Sequence, residues 1–427
     1  MEDKNLRPIV LVSNSSWYLY HYRKLLIKNL KKNNLHIVAV SPYDASSKTL
    51  SKYVIHIPWK LSRKKDKNLY SLFMSFLRMI FLIRVIKPKL IHSHTLQANL
   101  ITSIISSIFG IKCILSFAGI GRFDKSRGLS RIIFICIFKF IYFFSNFERE
   151  SKFRFISNPS RTVFIFQNQK DIDFIKKEIL KSSNFCFKLI PGSGVPSTYI
   201  SKSKKYEKKN YWLKDDKLFF GGESINSEIT FIYCARLLKS KGILTFLEIA
   251  KLNPKSKFIV YGSIDTSSKE SLSKDQIIKY KEEIKNTTFF DNKFDPLLDI
   301  NFKFPILIVP SIYGEGFPRA IIEATTLKIP VISSKEAANK IPQNNLSFIS
   351  KNNNPHSYVK CIDNIIKEYY SDNLKKILIK AKQKTIDNYS EEIIVQKTLK
   401  IYEKLNSDNN SYLLNKEKEN LNQWFDH

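Results

Sequence analysis

The stretch "ILIVPSIYGEGFPRAIIEATTLKIPVISS", residues 306 to 334, decides how this chain is read. An apolar run of strand length, Ile306 to Val309, passes through a loop into a helical segment and ends in a second apolar run, "IPVISS" (329 to 334). Gly316 gives the loop backbone the freedom for a tight turn, and Pro318 has the fixed φ of a first helical residue. Strand, loop, helix, strand is the repeating unit of a parallel sheet covered on both faces, whose strands read as continuous apolar runs.

The same unit recurs outward along the chain. Apolar runs stand at 8 to 13, 36 to 41, 53 to 57, 89 to 94, 112 to 117, 162 to 168 and 187 to 192, with helical patterns such as "WYLYHYRKLLIKNLKK" and "DIDFIKKEILKSS" between them. The segment from Ala98 to Phe117, broken by Gly110 and Lys112, reads as helix, turn and buried strand. After "PGSGV" (191 to 195) the texture turns polar and lysine-rich, and alternation resumes at 229 to 235 and 257 to 262. A chain of 427 residues is too long for one core. These runs predict an α/β protein with two parallel-sheet domains. The first covers 1–195, a lysine-rich linker or insertion 196–228, the second 229–385, and a C-terminal helix with a loose tail 386–427.

Seventy Lys and Arg against 38 Asp and Glu leave a formal charge of +32. That balance suits anionic partners, but the lysines are scattered, as a coding bias rich in Lys, Ile and Asn also produces. The five cysteines are widely spaced inside apolar runs, which predicts neither a disulfide framework nor a metal site and fits a reducing cytoplasm. The amino terminus "MEDKNLRPIVLV" predicts no signal peptide, and no window predicts a clean membrane span.

Glu323 raises a chemical question, because it stands among Ala320, Ile321, Ile322 and Ala324 in a helix that is otherwise apolar. Ligands of open α/β sheets lie beyond the carboxyl ends of the strands, where a helix amino terminus attracts anions. A phosphate at the helix start and hydroxyl groups at Glu315 and Glu323 would suit that place. The competing reading is a surface ion pair between Arg319 and Glu323, worth roughly 0.3 to 0.5 kcal/mol. A second signal is "ARLLKSKGI" (235 to 243), where Arg236 and Lys241 follow a strand. Two cations at a strand-to-helix turn would stabilise a departing diphosphate. In a chain this basic they could equally be solvated surface.

Taken together, Arg236, Lys241 and the pair Glu315 and Glu323 resemble the signature of glycosyltransferase family 4, a retaining, sugar-nucleotide-dependent family with the GT-B fold. "PGSGV" resembles the end of that family's first domain, and "NYSEEIIVQKTLKIYEKL" its last helix, which crosses back to the first domain. The resemblance implies two Rossmann-like domains facing a cleft. It implies that Arg236 and Lys241 hold the donor diphosphate, that Glu323 receives ribose hydroxyls, that Glu315 contacts the transferred sugar, and that the backbone at Gly316 and Phe317 faces the phosphates. It implies a nucleotide sugar, UDP-linked, as donor and no metal or other cofactor. The family's glycine pair after the first strand is replaced by "SNSSWYLYHYR" (13 to 23). That variant, with "SHTLQAN" and "SFAGIGRFDKSRG", resembles bacterial enzymes that build O-antigen and capsule on a polyprenyl-diphosphate carrier. His94, Ser15 and Trp17 are the acceptor-side candidates, and a polar residue at a strand end is the alternative for His94.

Residues 129 to 147 and 69 to 87 are rich in Phe, Ile and Leu, broken by Arg131, Lys139, Arg78 and Arg84. Such helices either pack on the sheet or lie in a membrane interface. The expectation is a cytoplasmic enzyme, peripheral at the inner face of the cell membrane. The rivals are a sugar-nucleotide epimerase of the same fold, a transferase with a soluble acceptor, and a nucleic-acid-binding protein, which would show exposed stacking aromatics on a basic patch.

Overall fold

Runs of four to six residues rich in Ile, Val and Phe form the main strands, and the central ones are buried along all or most of their length. The computed structural model describes residues 7–61, 69–120, 128–149, 155–157, 161–179, 186–208, 229–266, 268–290, 295–299, 302, 304–313, 316–341, 346–368 and 371–406. In the first half β1 (Ile9–Val12), β2 (Ile37–Ser41), β3 (Ile55–Pro58), β4 (Leu90–His94) and β5 (Lys112–Phe117) alternate with α1 (Ser16–Lys32), α2 (Ser47–Leu50), α3 (Leu69–Ile86) and α4 (Leu96–Phe109). After α5 (Leu129–Asn146) come a two-stranded antiparallel ribbon, β6 (Phe147–Arg149) and β7 (Phe155–Ser157), then β8 (Thr162–Phe166), α6 (Gln169–Glu178) and β9 (Phe187–Leu189). Seven parallel strands run in the order β3-β2-β1-β4-β5-β8-β9.

The second domain contains β10 (Ile229–Cys234), α8 (Ile243–Leu252), β11 (Lys257–Tyr261), α9 (Lys274–Glu283), β12 (Thr287–Phe290) and β13 (Phe304–Val309). It continues through α10 (Arg319–Thr326), β14 (Val331–Ser333), α11 (Lys335–Ala338), β15 (Phe348–Ile349), α12 (Pro355–Glu368) and α13 (Asp372–Tyr389). Its six parallel strands lie in the order β12-β11-β10-β13-β14-β15. In each sheet the order reverses beside the first strand, between β1 and β4 and between β10 and β13. Those reversals open a crevice at the carboxyl edge, where ligands of such sheets bind.

Side chains alternate across each sheet and fill a core on either face. Val10, Val12 and Leu115 meet α4 and α5, while Ile9, Leu11 and Ile114 meet Leu19 and Leu26 of α1. The last helix, α14 (Glu391–Asn406), adds Ile394, Leu399 and Tyr402 to this second core, so the end of the chain packs on the first domain.

One sequence reading needs correction. The lysine-rich stretch read as aperiodic contains a further helix, α7 (Ser197–Lys208), between β9 and β10. It is anchored by Tyr199, which is fully buried in the core of the second domain. A single large side chain leaves no 3.6-residue pattern to detect.

Candidate active site

β13 ends at Val309, and the chain crosses to α10 over the carboxyl edge of the second sheet. Beside it, β10 leads through Arg236 into a short 3-10 turn at Lys239–Lys241 and then α8. The two loops are bonded together, with Ile312 N donating to Ser240 O at 2.9 Å. Gly242, at φ +77°, lies so close that a Cβ would stand 2.0 Å from the Pro310 carbonyl oxygen. The neighbouring loops therefore form one rigid rim, and Arg236, Lys241 and the start of α10 stand together at the switch point of the second sheet. Arg236 Nη1 is 2.6 Å from Asp265 Oδ2, yet 58% of its side chain remains exposed and accessible to an anion.

Glu323 has the partner that the competing reading named. Arg319, one turn earlier on α10, pairs with it, and the pair is internal, with side-chain exposures of 17% and 9%. The surface ion pair is therefore excluded as a description. Burial pushes the Glu323 carboxyl up to about 7, against the pull of Arg319. Glu315 lies outside the described residues.

Gly316 presses on the first domain. A Cβ there would lie 1.9 Å from the Ala118 carbonyl oxygen and 2.7 Å from Gln167 Oε1, and the Gly316 carbonyl accepts a hydrogen bond from Asn168 Nδ2 at 2.7 Å. Phe317 is buried against Gly192 and Tyr389. The two switch points thus face each other across a closed cleft.

On the first-domain side His94 ends β4 and is fully buried between the rings of Tyr18 and His92. Neither of its ring nitrogens has a hydrogen-bond partner among the described residues. Burial holds its pKa well below the ordinary histidine value, so the ring is neutral at neutral pH. The next residue, Thr95, has φ +81° and ψ 147°, a strained backbone for a β-branched side chain, and its Oγ1 also lacks a hydrogen-bond partner. Strain of about 1 to 3 kcal/mol persists only where the surroundings enforce it, and it concentrates at functional sites. Ordinary polar termination of a strand does not account for this pair. His92, two residues earlier, is by contrast satisfied by the Tyr402 hydroxyl at 2.6 Å and Ser116 Oγ at 2.7 Å.

Ser15 stands at the start of α1 and has a structural part there. Its hydroxyl caps α1 by accepting from Tyr18 N, and it donates to Asp44 Oδ2 at 3.1 Å. Trp17 stands half-exposed at the rim with its ring on His21. Tyr22, Tyr199 and Asp295, which surround Arg319 and Glu323, escaped sequence reasoning because they come from three distant segments that only the fold brings together.

Two parallel-sheet domains meeting across a cleft at their switch points are the GT-B arrangement. The model described as "Glycosyl transferases group 1" matches residues 214–385, and the one described as "Glycosyl transferase 4-like" matches residues 8–151. The N,N'-diacetylbacillosaminyl-diphospho-undecaprenol alpha-1,3-N-acetylgalactosaminyltransferase of Campylobacter jejuni is 22% identical over 93% of this chain and 98% of its own. The capsular polysaccharide biosynthesis glycosyltransferase CapM of Staphylococcus aureus is 23% identical over 88% of this chain and 92% of its own. The fold also matches Anabaena HepE, solved in complex with UDP, at a TM-score of 0.64 and 14% identity over 93% of this chain and 100% of that one. The chain belongs to the family-4-like glycosyltransferases.

Proposed function

We propose that this glycosyltransferase moves a hexose or N-acetylhexosamine, with retention, from a UDP-sugar to a polyprenyl-diphosphate-linked saccharide during bacterial surface-polysaccharide synthesis, O-antigen or capsule. The observation that carries the reading is the second switch point, where Arg236 and Lys241 share a rim with α10 and Glu323. In this reading Arg236 and Lys241 take the charge that develops on UDP as its bond to the sugar breaks, so no metal is needed. Glu323 accepts the ribose hydroxyls, and Glu315 contacts the sugar. His94 offers a neutral imidazole to an acceptor hydroxyl from the opposing edge. Retention is carried over from the family signature, and the closed cleft keeps water from the donor.

Support for UDP comes from HepE, and for a lipid-linked acceptor from the Campylobacter enzyme. The surface of the first domain agrees with such an acceptor. Tyr70, Phe73 and Phe81 of α3 and Ile132, Phe140 and Phe143 of α5 are exposed. Arg78, Arg84 and Lys139 lie among them, and neither helix carries an Asp or Glu. An apolar, cationic face of this kind suits an anionic lipid interface, and it supports a peripheral position at the inner face of the cell membrane. Co-sedimentation with anionic but not zwitterionic vesicles is expected at low salt.

The first test is thermal stability against UDP, GDP, ADP and CMP and their sugar conjugates. At about 100 times its dissociation constant the true nucleotide adds roughly 2.7 kcal/mol. UDP and UDP-sugars are expected to stabilise the protein, and Glu323→Ala to abolish the shift. A shift that survives in that variant would remove the basis of the assignment. Incubation with UDP-sugar alone, followed by product analysis, separates a transferase from an epimerase.

A further inference from the structure

Arg319 is drawn on from three sides. It pairs with Glu323 on its own helix, its Nη2 is 2.8 Å from Asp295 Oδ1, and its guanidinium carbon is 5.0 Å from the ring centroid of Tyr22 on α1. The first two contacts lie within the second domain, and the third crosses to the first. Buried carboxylates stay ionised only when a cation accompanies them. An arginine is suited to this place because it keeps its charge, offers N–H donors around the rim of a plane, and leaves the faces of that plane for an aromatic ring.

We infer that Arg319 is a positioning residue of the donor site: it holds Glu323 ionised and oriented for the ribose hydroxyls, and its contact with Tyr22 makes that state depend on the first domain being in place. The inference rests on the role given to Glu323 in the proposed function. The groups that bear on Glu323 are Asp295 ahead of β13, Tyr199 of α7, Tyr22 of α1 and Cys234 of β10, besides Arg319 itself. α13 packs along α10 and buries Lys382 and Tyr389. His21 of α1 faces Arg319, and burial together with that charge lowers it to about 4, so it is neutral at pH 7. Among the described residues Arg319 is thus the cation that acts on the carboxylate.

The pH dependence has a definite sign. Glu323 is raised from 4.5 to about 7 in the folded protein, so its contribution to stability is full below about pH 4.5 and is lost as pH rises to about 7. Without Arg319 the folded value rises further, and the loss extends above neutrality.

The test compares Arg319→Gln, Glu323→Gln and the double variant with the wild type. Without ligand, Tm is followed from about pH 5 to about pH 9. Against the double variant, Arg319→Gln is expected to keep losing Tm above pH 7, where the wild type has levelled off against Glu323→Gln. With UDP as probe, calorimetry is expected to show affinity weakened about fivefold at pH 7 in Arg319→Gln and largely regained near pH 9, since one further unit of pKa lowers the ionised fraction at pH 7 from about one half to about one tenth. Arg319→Lys, which retains a cation if the glutamine variant does not fold, should bind UDP at pH 7 with an intermediate affinity. Tyr22→Leu removes the contact that ties Arg319 to the first domain, so it should weaken UDP binding about threefold and move its pH midpoint upward by less than Arg319→Gln does. Parallel pH curves for Arg319→Gln and wild type in both arms would overturn the inference. A wild type that binds no nucleotide overturns the donor reading and this inference with it, and the ligand-free arm tells that failure apart from a failure of Arg319 to hold the charge.

Discussion

Gly316 and Gly242 both press against carbonyl oxygens, but adding a methyl group to each has different consequences. The Gly316 contact lies between domains and the Gly242 contact inside one. Gly242→Ala meets Pro310 O at 2.0 Å in a left-handed backbone, and is expected to destabilise the second domain by roughly 2 kcal/mol or more. A clear fall in Tm checks it. Gly316→Ala can be relieved by separation of the domains, so Tm is expected to change little while transfer falls about tenfold or more, since a small misplacement of reacting groups is costly. Glu323 was legible at this scale because a carboxylate in an apolar run is conspicuous. The role of Arg319 was not, because its meaning depends on Asp295 and Tyr22, which no local spacing connects to it.

The elements that present these residues draw on partners at both ends of the chain. His92 in β4 is held by Tyr402 in α14, at a sequence separation of 310 residues. Tyr402→Phe keeps the packing but leaves a buried ring nitrogen of His92 without that partner, at an expected cost of about 1 to 3 kcal/mol. Urea unfolding should report that cost, and it should be smaller in a His92→Phe background, where the ring nitrogen is absent. The strands and most helices were readable because a parallel strand buried on both faces has a composition of its own, as in "PIVLVS" and "KCILSF". The Gly110 break was readable too, since that residue ends α4 in the left-handed conformation. α7 was hidden because one tyrosine anchors it, and the strain at Thr95 was hidden because threonine gives no sign of a positive φ.

At the scale of the whole molecule, the chain passes between domains at two places that lie side by side. Val195 N donates to Tyr389 O at 2.7 Å, and Glu391 N donates to Val195 O at 2.9 Å, while Gly194 at φ +79° packs directly on the Glu391 backbone. Crossings tied together in this way restrict the relative motion of the domains to a bend about one line, a hinge of the kind that opens and shuts a cleft. Elsewhere between the domains, Lys340, two residues past α11, reaches into the first domain and sets its Nζ 2.8 Å from Asp171 Oδ1, where the two side chains are only 10% and 1% exposed. Asp171 is itself fixed, because its Oδ2 accepts a hydrogen bond from Ile120 N. A buried charge pair contributes modestly while intact, but removal of one member leaves the other without a counter-ion in a dry place. For an interdomain pair that cost can be escaped by opening the cleft and letting water reach Asp171. Lys340→Met is therefore expected to shift the protein toward an open form, with a larger radius of gyration in X-ray scattering and little loss of Tm. Because closure also excludes water, the same variant should release more free sugar from the proposed UDP-sugar donor per transfer completed. An unchanged radius together with a large fall in Tm would instead mean that the pair holds the fold together rather than closing the cleft.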